Sequence, residues 1–256
     1  MGQWNLAETT WGLAAEQYAV AVLPVGATEA HGPHLPYATD TLQCEALARR
    51  ACQLADSRGA RVLCLPALPY SVCENGLGFR WTMSLRPSTL FRVVTDLVAS
   101  CEAHGIPKLL LLNGHGGNEF QPHLRELCRQ TSVQLMLVNW WQVDREAHAR
   151  LFVAPGEHAD EMETSLMLAL HPDLVHLDRA GNGATRAPRF TAMQEGWAWV
   201  ARPWERLTID GTVGDPTHAT AAKGAAFLEA LTEKLANLLV ELANSLVDDW
   251  YPYQGR

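Results

Sequence analysis

The chain has 256 residues, of which 48% are hydrophobic, and a formal net charge of −8 at pH 7. A chain of that size can bury roughly 70–75% of its extended surface, so a full core forms without staples. The acidic balance argues against nucleic acid as a partner, and no run approaches the roughly eighteen apolar residues of a membrane span.

In chain order, Met1-Gly2-Gln3-Trp4-Asn5 lacks the basic, apolar and small-residue succession of a secretory signal. The apolar run Ala19 to Val25 then reads as a strand buried on both faces of a parallel sheet. A helix is expected from Thr41 to Ser57, where Cys44, Leu47, Ala48, Ala51, Leu54 and Ala55 step by three and four. Gly59 ends it, and Arg61 to Leu65 makes a short second strand. Pro66 to Pro87 shows little periodicity, and loops of that length inside compact domains tend to be functional.

Ser88 to His104 returns to helix, Lys108 to Leu112 is a strand buried on both sides, and Phe120, Leu124 and Leu127 mark another helix. Val133 to Val138 is a fourth strand. Four rounds of strand and helix predict an α/β fold whose mostly parallel sheet is covered on both faces. Glu161 to Leu170 reads as a helix stopping before His171-Pro172, whereas residues 178–214, rich in Gly, Pro and Trp, carry no assignable pattern. Asp215-Pro216-Thr217 reads as the N-cap and first turn of a last helix with Phe227, Leu231, Leu235, Leu238, Leu242 and Leu246 on one stripe. No break in composition divides the chain, so one domain over residues 1–256 is expected.

The six cysteines, Cys44, Cys52, Cys64, Cys73, Cys101 and Cys128, form no C-x-x-C pair and read as reduced thiols of a cytoplasmic protein. The loop after the first strand, Gly26 to Asp40, is a richer source of chemistry. In an extended chain Glu29 and His31 point to one side, and Asp40 adds a carboxylate at the start of the next helix. These residues read either as half of a metal centre or as a solvated surface loop. Asn113-Gly114-His115-Gly116-Gly117-Asn118 follows another strand. It reads as a phosphate cradle lacking the full G-x-G-x-x-G spacing, or as the presentation of His115 as a ligand. In His158-Ala159-Asp160-Glu161-Met162-Glu163-Thr164, Glu163 shares a helix face with Leu166, Met167 and Leu170. Glu163 is therefore a candidate ligand, or a base beside a metal, because a buried carboxylate needs a cation or donors. Glu161 reads as first-turn decoration of the helix dipole, or as the ligand in place of Glu163. His158 is either a general acid or a surface histidine.

Together these motifs resemble the creatininase family of metal-dependent amidohydrolases. The resemblance lies in Pro24-Val25-Gly26-Ala27-Thr28-Glu29-Ala30-His31-Gly32-Pro33-His34 with Asp40, Asn113 to Asn118, His158 to Ser165, and Gly214-Asp215-Pro216-Thr217. It implies a three-layer α/β/α domain and a metal-dependent amidohydrolase cleaving a cyclic amide, formamide or similar C–N bond. It also implies two divalent metals, zinc first with manganese or iron as alternatives, holding a bridging hydroxide. Asp40 would bridge the metals, with Glu29 and His115 on one and His31 on the other. His158 is similar to the family histidine that moves a proton to the departing nitrogen. In creatininase itself an aromatic residue and a metal-binding glutamate follow the loop histidine; Gly116 and Gly117 stand here, so Glu163 is the candidate to complete the ligand set of the second metal. The expected partners are a small-molecule amide substrate and further copies of the chain, commonly six. The rival readings are a metal-stabilised binding subunit without catalysis and a nucleotide-binding oxidoreductase.

Overall fold

The computed structural model describes residues 3–14, 17–154 and 156–255, leaving Met1 and Gly2 of the N-terminal stretch outside. Four strands, β1 (Val20–Val25), β2 (Val62–Cys64), β3 (Lys108–Asn113) and β4 (Gln134–Asn139), form one parallel sheet in the order β2-β1-β3-β4. Every residue of β1, β2 and β3 is buried, as continuous apolar runs require when helices cover both faces.

Period-two alternation sorts these strands between two cores. Val20, Val22, Leu110 and Leu112 face α1 (Thr39–Ser57), α5 (Glu161–Leu170) and α8 (Ala221–Asn244). Ala21, Leu23, Leu109 and Leu111 face α2 (Pro87–Ala103) and α3 (Phe120–Leu127). The expected three-layer α/β/α architecture with a mostly parallel sheet is what the chain adopts. The remaining helices are short: α4 (Arg145–Leu151), α6 (Thr191–Gln194) and α7 (Trp204–Leu207). Among the described residues no helix is long and apolar enough to cross a membrane.

Two expectations fail at the last helix. Its N-cap is Thr220, whose hydroxyl accepts the Lys223 N–H at 3.2 Å, and not Asp215. Asp215 accepts the Thr217 N–H at 2.9 Å in a separate turn, because an Asp two residues before a free N–H closes a turn as readily as it caps a helix. Leu246 lies beyond the helix and is 84% exposed, so it leaves the apolar stripe. The helix α4 went unseen in the sequence; seven residues give too little periodicity to register.

β1 leads through α1 to β2 on one side of itself, while β3 pairs on its other side, with Val25 opposite Asn113. The sheet therefore reverses its order between β1 and β3. Loops at such a point splay apart and leave a crevice beyond the carboxyl ends of the strands. The Glu29–His31 loop and the His115 loop begin side by side there, joined by the Gly114 N–H donating to Val25 O at 2.8 Å.

Helix α5 reaches that crevice by packing backbone to backbone on α8. A Cβ at Gly224 would stand 1.8 Å from the Ser165 carbonyl oxygen. Replacing a helical glycine by alanine ordinarily gains about 0.5–1 kcal/mol, but overpacking costs roughly 1–3 kcal/mol. Gly224→Ala should therefore lower the denaturant midpoint of unfolding; an unchanged or raised midpoint would show that the two helices yield.

Candidate metal centre

Asp40, in the first turn of α1, sits between two imidazoles. Its Oδ1 lies 3.0 Å from His31 Nε2 and its Oδ2 lies 3.0 Å from His115 Nδ1. Glu29 Oε1 is 3.2 Å from the same His115 nitrogen and 3.5 Å from His158 Nδ1. Glu163 Oε2 is 4.0 Å from His31 Nε2. The candidates Glu29, His31, Asp40, His115, His158 and Glu163 thus gather in one place, every one of them buried. His34, the other imidazole of the first loop, turns away and lies 2.9 Å from the Thr164 hydroxyl.

Backbone carbonyls orient all three imidazoles of the cluster. His31 Nδ1 lies 3.1 Å from Glu29 O, His115 Nε2 lies 2.9 Å from Val72 O, and His158 Nε2 lies 2.8 Å from Ala30 O. A carbonyl only accepts, so those nitrogens carry the protons and the opposite nitrogens turn toward the carboxylates. An imidazole lone pair aimed at a carboxylate is repulsive unless a proton or a metal cation lies between them. Asp40 Oδ2 is close to His115 yet makes no aligned hydrogen bond. The donor set, three carboxylates and neutral imidazoles around one oriented gap, fits divalent transition metals.

The electrostatics follow the same logic. Burial pushes His31 toward neutrality, but Asp40 beside it, aided by Glu163 and Glu29, holds its pKa up at about 10. Burial opposes charge on His115 too, and Glu29 and Asp40 raise it well above the ordinary range. Asp40 and Glu29 are buried as well, but the adjacent imidazoles hold both below the usual carboxylate range. Glu163 goes the other way, since burial outweighs the pull of His31 and lifts it to about 8. Burial and the neighbouring His31 charge lower His158 to about 4, leaving it neutral at pH 7.

Local backbone geometry serves these side chains. Ala159, between His158 and the helix cap Asp160, has φ of 49°, a left-handed conformation uncommon for a residue with a Cβ. In that turn the Ala159 N–H donates to Glu163 Oε2, and the Glu163 N–H donates to Asp160 Oδ1 at 3.0 Å. A Cβ at Gly117 would come 2.4 Å from both His115 Nε2 and Val72 O, so only glycine lets that pair close.

Glu161 is a correction. It stands in the first turn of α5 as expected, but it is more than decoration of the helix dipole: it is fully buried, pairs with Lys223 and accepts the Val153 and Ala154 N–H groups at 2.8 Å each. The reason is that α5 is enclosed by α1 and α8, and a carboxylate buried there needs donors.

A cavity of about 600 Å³ opens onto the cluster and is lined also by Cys73, Trp140, Trp141, Arg145, Arg202 and Trp204. Trp140 and Trp141 belong to this lining, whereas Trp81 is 72% exposed and lies outside it. Arg202 and Trp204 come from the segment without a readable pattern, and only its density of tryptophan pointed to them. Cys73 Sγ stands 3.9 Å from His115 Nε2, its thiol pushed up by burial.

A doubly covered parallel sheet with carboxylates and imidazoles gathered at its switch point has the architecture of an α/β enzyme that receives its ligand beyond the strand ends. The family model described as creatininase, creatinine amidohydrolase, matches residues 7–239. The chain belongs to the creatininase family. It is 31% identical to the creatinine amidohydrolase of Pseudomonas putida over 260 residues, 91% of this chain and 95% of that one. It is also 31% identical to a mycofactocin precursor peptide peptidase of Mycobacterium tuberculosis (strain CDC 1551 / Oshkosh) over 223 residues, 83% of this chain and 81% of that one. Among solved structures, a Bacteroides fragilis protein provisionally classed as a creatinine amidohydrolase superposes with a TM-score of 0.90 at 36% identity, covering 97% of this chain and 100% of that one. A mutant creatininase of Zn-Zn type superposes at 0.77 and 29% identity, covering 96% and 100%.

Protons and metal compete for the same nitrogens of His31 and His115. Because the Asp40 and Glu29 carboxylates favour protonation of both imidazoles in the metal-free protein, a cation held there would displace protons and its affinity would rise with pH. Between pH 6 and 8 the dissociation constant for Zn²⁺ should fall by about tenfold or more per unit, with proton release visible in buffers of different ionisation enthalpy. A pH-independent affinity would remove these two imidazoles from the binding site.

Proposed function

We propose that the chain is a binuclear metal-dependent amidohydrolase that cleaves the C–N bond of a cyclic amide, formamide or similar small molecule. The observation that carries this reading is the Asp40 carboxylate set between His31 and His115, each imidazole held by a backbone carbonyl on its far side. Glu29, Asp40 and His115 would hold one cation, and His31, Asp40 and Glu163 the other. Zinc comes first and manganese second, since creatininase structures are described in Zn-Zn and Mn forms. Two such ions would acidify a water and polarise an acyl oxygen.

His158 then has the proton chemistry. Its Nε2–H is tied to Ala30 O and its Nδ1 faces Glu29. Neutral at rest, it accepts a proton at Nδ1 and passes it to the departing nitrogen. Trp204, whose ring lies 4.6 Å from that imidazole, narrows the approach of water to it. Glu163 serves the second cation, which gains no ligand from position 117 because a side chain there would displace the carbonyl that fixes His115. The same glycines argue against creatinine, since Gly116 has nothing within 4 Å of where a side chain would begin. The aromatic substrate contact of creatininase is therefore replaced by open space.

Three measurements test this reading. Asp40→Ala should lose both metal equivalents by mass spectrometry while the fold persists; two retained equivalents would refute the shared carboxylate. Glu163→Gln, stripped with chelator and titrated back, should lose about 10–100-fold in affinity for one metal only, and two wild-type affinities would remove Glu163 from the site. Over a panel of cyclic amides and formamides the metal-loaded protein should turn over at least one compound. Creatinine should remain far below a kcat on the order of 10 per second.

A further inference from the structure

The chain that leads into Gly214-Asp215-Pro216-Thr217 is bound to both halves of the site. Val213 forms an antiparallel bridge with His158. Its N–H donates to His158 O at 2.9 Å, and its carbonyl accepts the Glu157 and His158 N–H groups at 2.8 and 3.2 Å. Thr212, fully buried, lies against the loop after β1, where a Cβ at Gly32 would stand 2.3 Å from its Cγ2. Two successive residues thus hold the backbone of His158 and the residue that follows His31. His158 needs such support, because Ala159 after it is left-handed, a conformation that persists only where its surroundings enforce it.

The same stretch is tied to the cavity wall. Thr185 stands opposite Thr208, and the Arg186 N–H donates to Leu207 O at 2.7 Å. These contacts close the base of an excursion that brings Arg202 and Trp204 to the cavity. Arg202 lies 3.0 Å from Glu157, and the Trp204 ring stands edge-on to the His158 imidazole at 4.6 Å. Thr208 joins the two grips. It is 2% exposed, and its hydroxyl donates to Trp204 O at 2.7 Å while accepting the Gly211 N–H at 3.1 Å. A threonine bonded back to the carbonyl four residues earlier is ordinary in a helix. The second bond, to the turn that enters the Val213 clamp, makes this hydroxyl a link.

We propose that Thr208 is a positioning residue for the proton chemistry of His158. Its hydroxyl locks Trp204 to the 211–213 turn, so that the ring contact and the backbone clamp move as one. This rests on the amidohydrolase reading for what the imidazole does, but the placement of His158 can be read without any substrate. A misplacement of about 1 Å costs on the order of 10²-fold in rate, so a residue that never touches substrate can set it.

Thr208→Val keeps the shape and removes the hydroxyl. In the zinc-loaded protein, hydrogen exchange at the Glu157 and His158 amides should quicken about tenfold or more, with β1 and β3 unchanged. Diethyl pyrocarbonate should modify His158 faster at wild-type metal content, and Thr208→Ser should restore both rates. On any amide the protein hydrolyses, kcat should fall about 10–100-fold with KM unchanged, the pattern of a group that acts only in the transition state. Were the valine variant unable to fold, Trp204→Ala would decide, since it removes the ring that the lock holds against His158. Unchanged modification in either variant, exchange quickened throughout the sheet, no restoration by serine, or an unchanged kcat beside a loosened clamp would each overturn the proposal. Serine-reversible modification without turnover of any amide would sink the hydrolase reading and leave the lock on His158 standing. Turnover with His158 indifferent to Thr208 would do the reverse.

Discussion

A buried carboxylate between two buried imidazoles is the constraint on which the rest of the molecule depends. Asp40 is 2% exposed and His31 fully enclosed, so neither can be charged there without a partner at contact distance. Ionic groups in such a place are poor contributors to stability, since desolvation offsets much of their attraction. Their arrangement makes sense as a receptacle for cations, and the surrounding protein is organised to keep it rigid.

That rigidity comes from backbone rather than from side chains. Each imidazole is fixed by a backbone carbonyl: Glu29 and Ala30 of the loop after β1 hold His31 and His158, and Val72 of the segment after β2 holds His115. Val72 belongs to the long aperiodic stretch after β2, which explains why so much unpatterned chain is kept in the domain. Its place is held by Asn118, whose side-chain oxygen accepts the Val72 N–H at 3.2 Å while its amide donates to Asn113 Oδ1 at 3.1 Å. The glycine loop is thus a device for seating one histidine.

The same close packing divides this site chemically from one with a side chain at position 117. Gly117 has no room for a ligand, and the nearest carboxylate to His31 other than Asp40 comes from α5 instead. Helix α5 is held at its depth by Gly224 of α8 on one side and by the Glu161–Lys223 pair near its start. A change in one loop is therefore coupled to helix packing more than forty residues away in the sequence.

Much of this was legible in the linear chain. Continuous apolar strands alternating with three-and-four-spaced helices permit little other than a covered parallel sheet, because both periods report directly on which faces are buried. Glu29, His31, Asp40, His115, His158 and Glu163 stood out because carboxylates and imidazoles recur in the loops at strand ends and at the start of an inward-facing helix, although a solvated surface was the competing reading for several of them. Where the linear signal ended, the interactions were long in sequence or had no period. The wall from Trp140 to Arg145, the return of Arg202 and Trp204 to the cavity, and the burial of Glu161 against Lys223 depend on how separate elements meet. The last helix was capped at the wrong residue because Asp215 and Thr220 offer the same local chemistry. The register of β1 against β3, which sets the two loops side by side, and the packing of α5 on α8, which brings His158 and Glu163 to them, turned six residues into one site. Sequence alone determined which residues were suited to it; the pairing of distant strands and the packing of α5 decided that they meet.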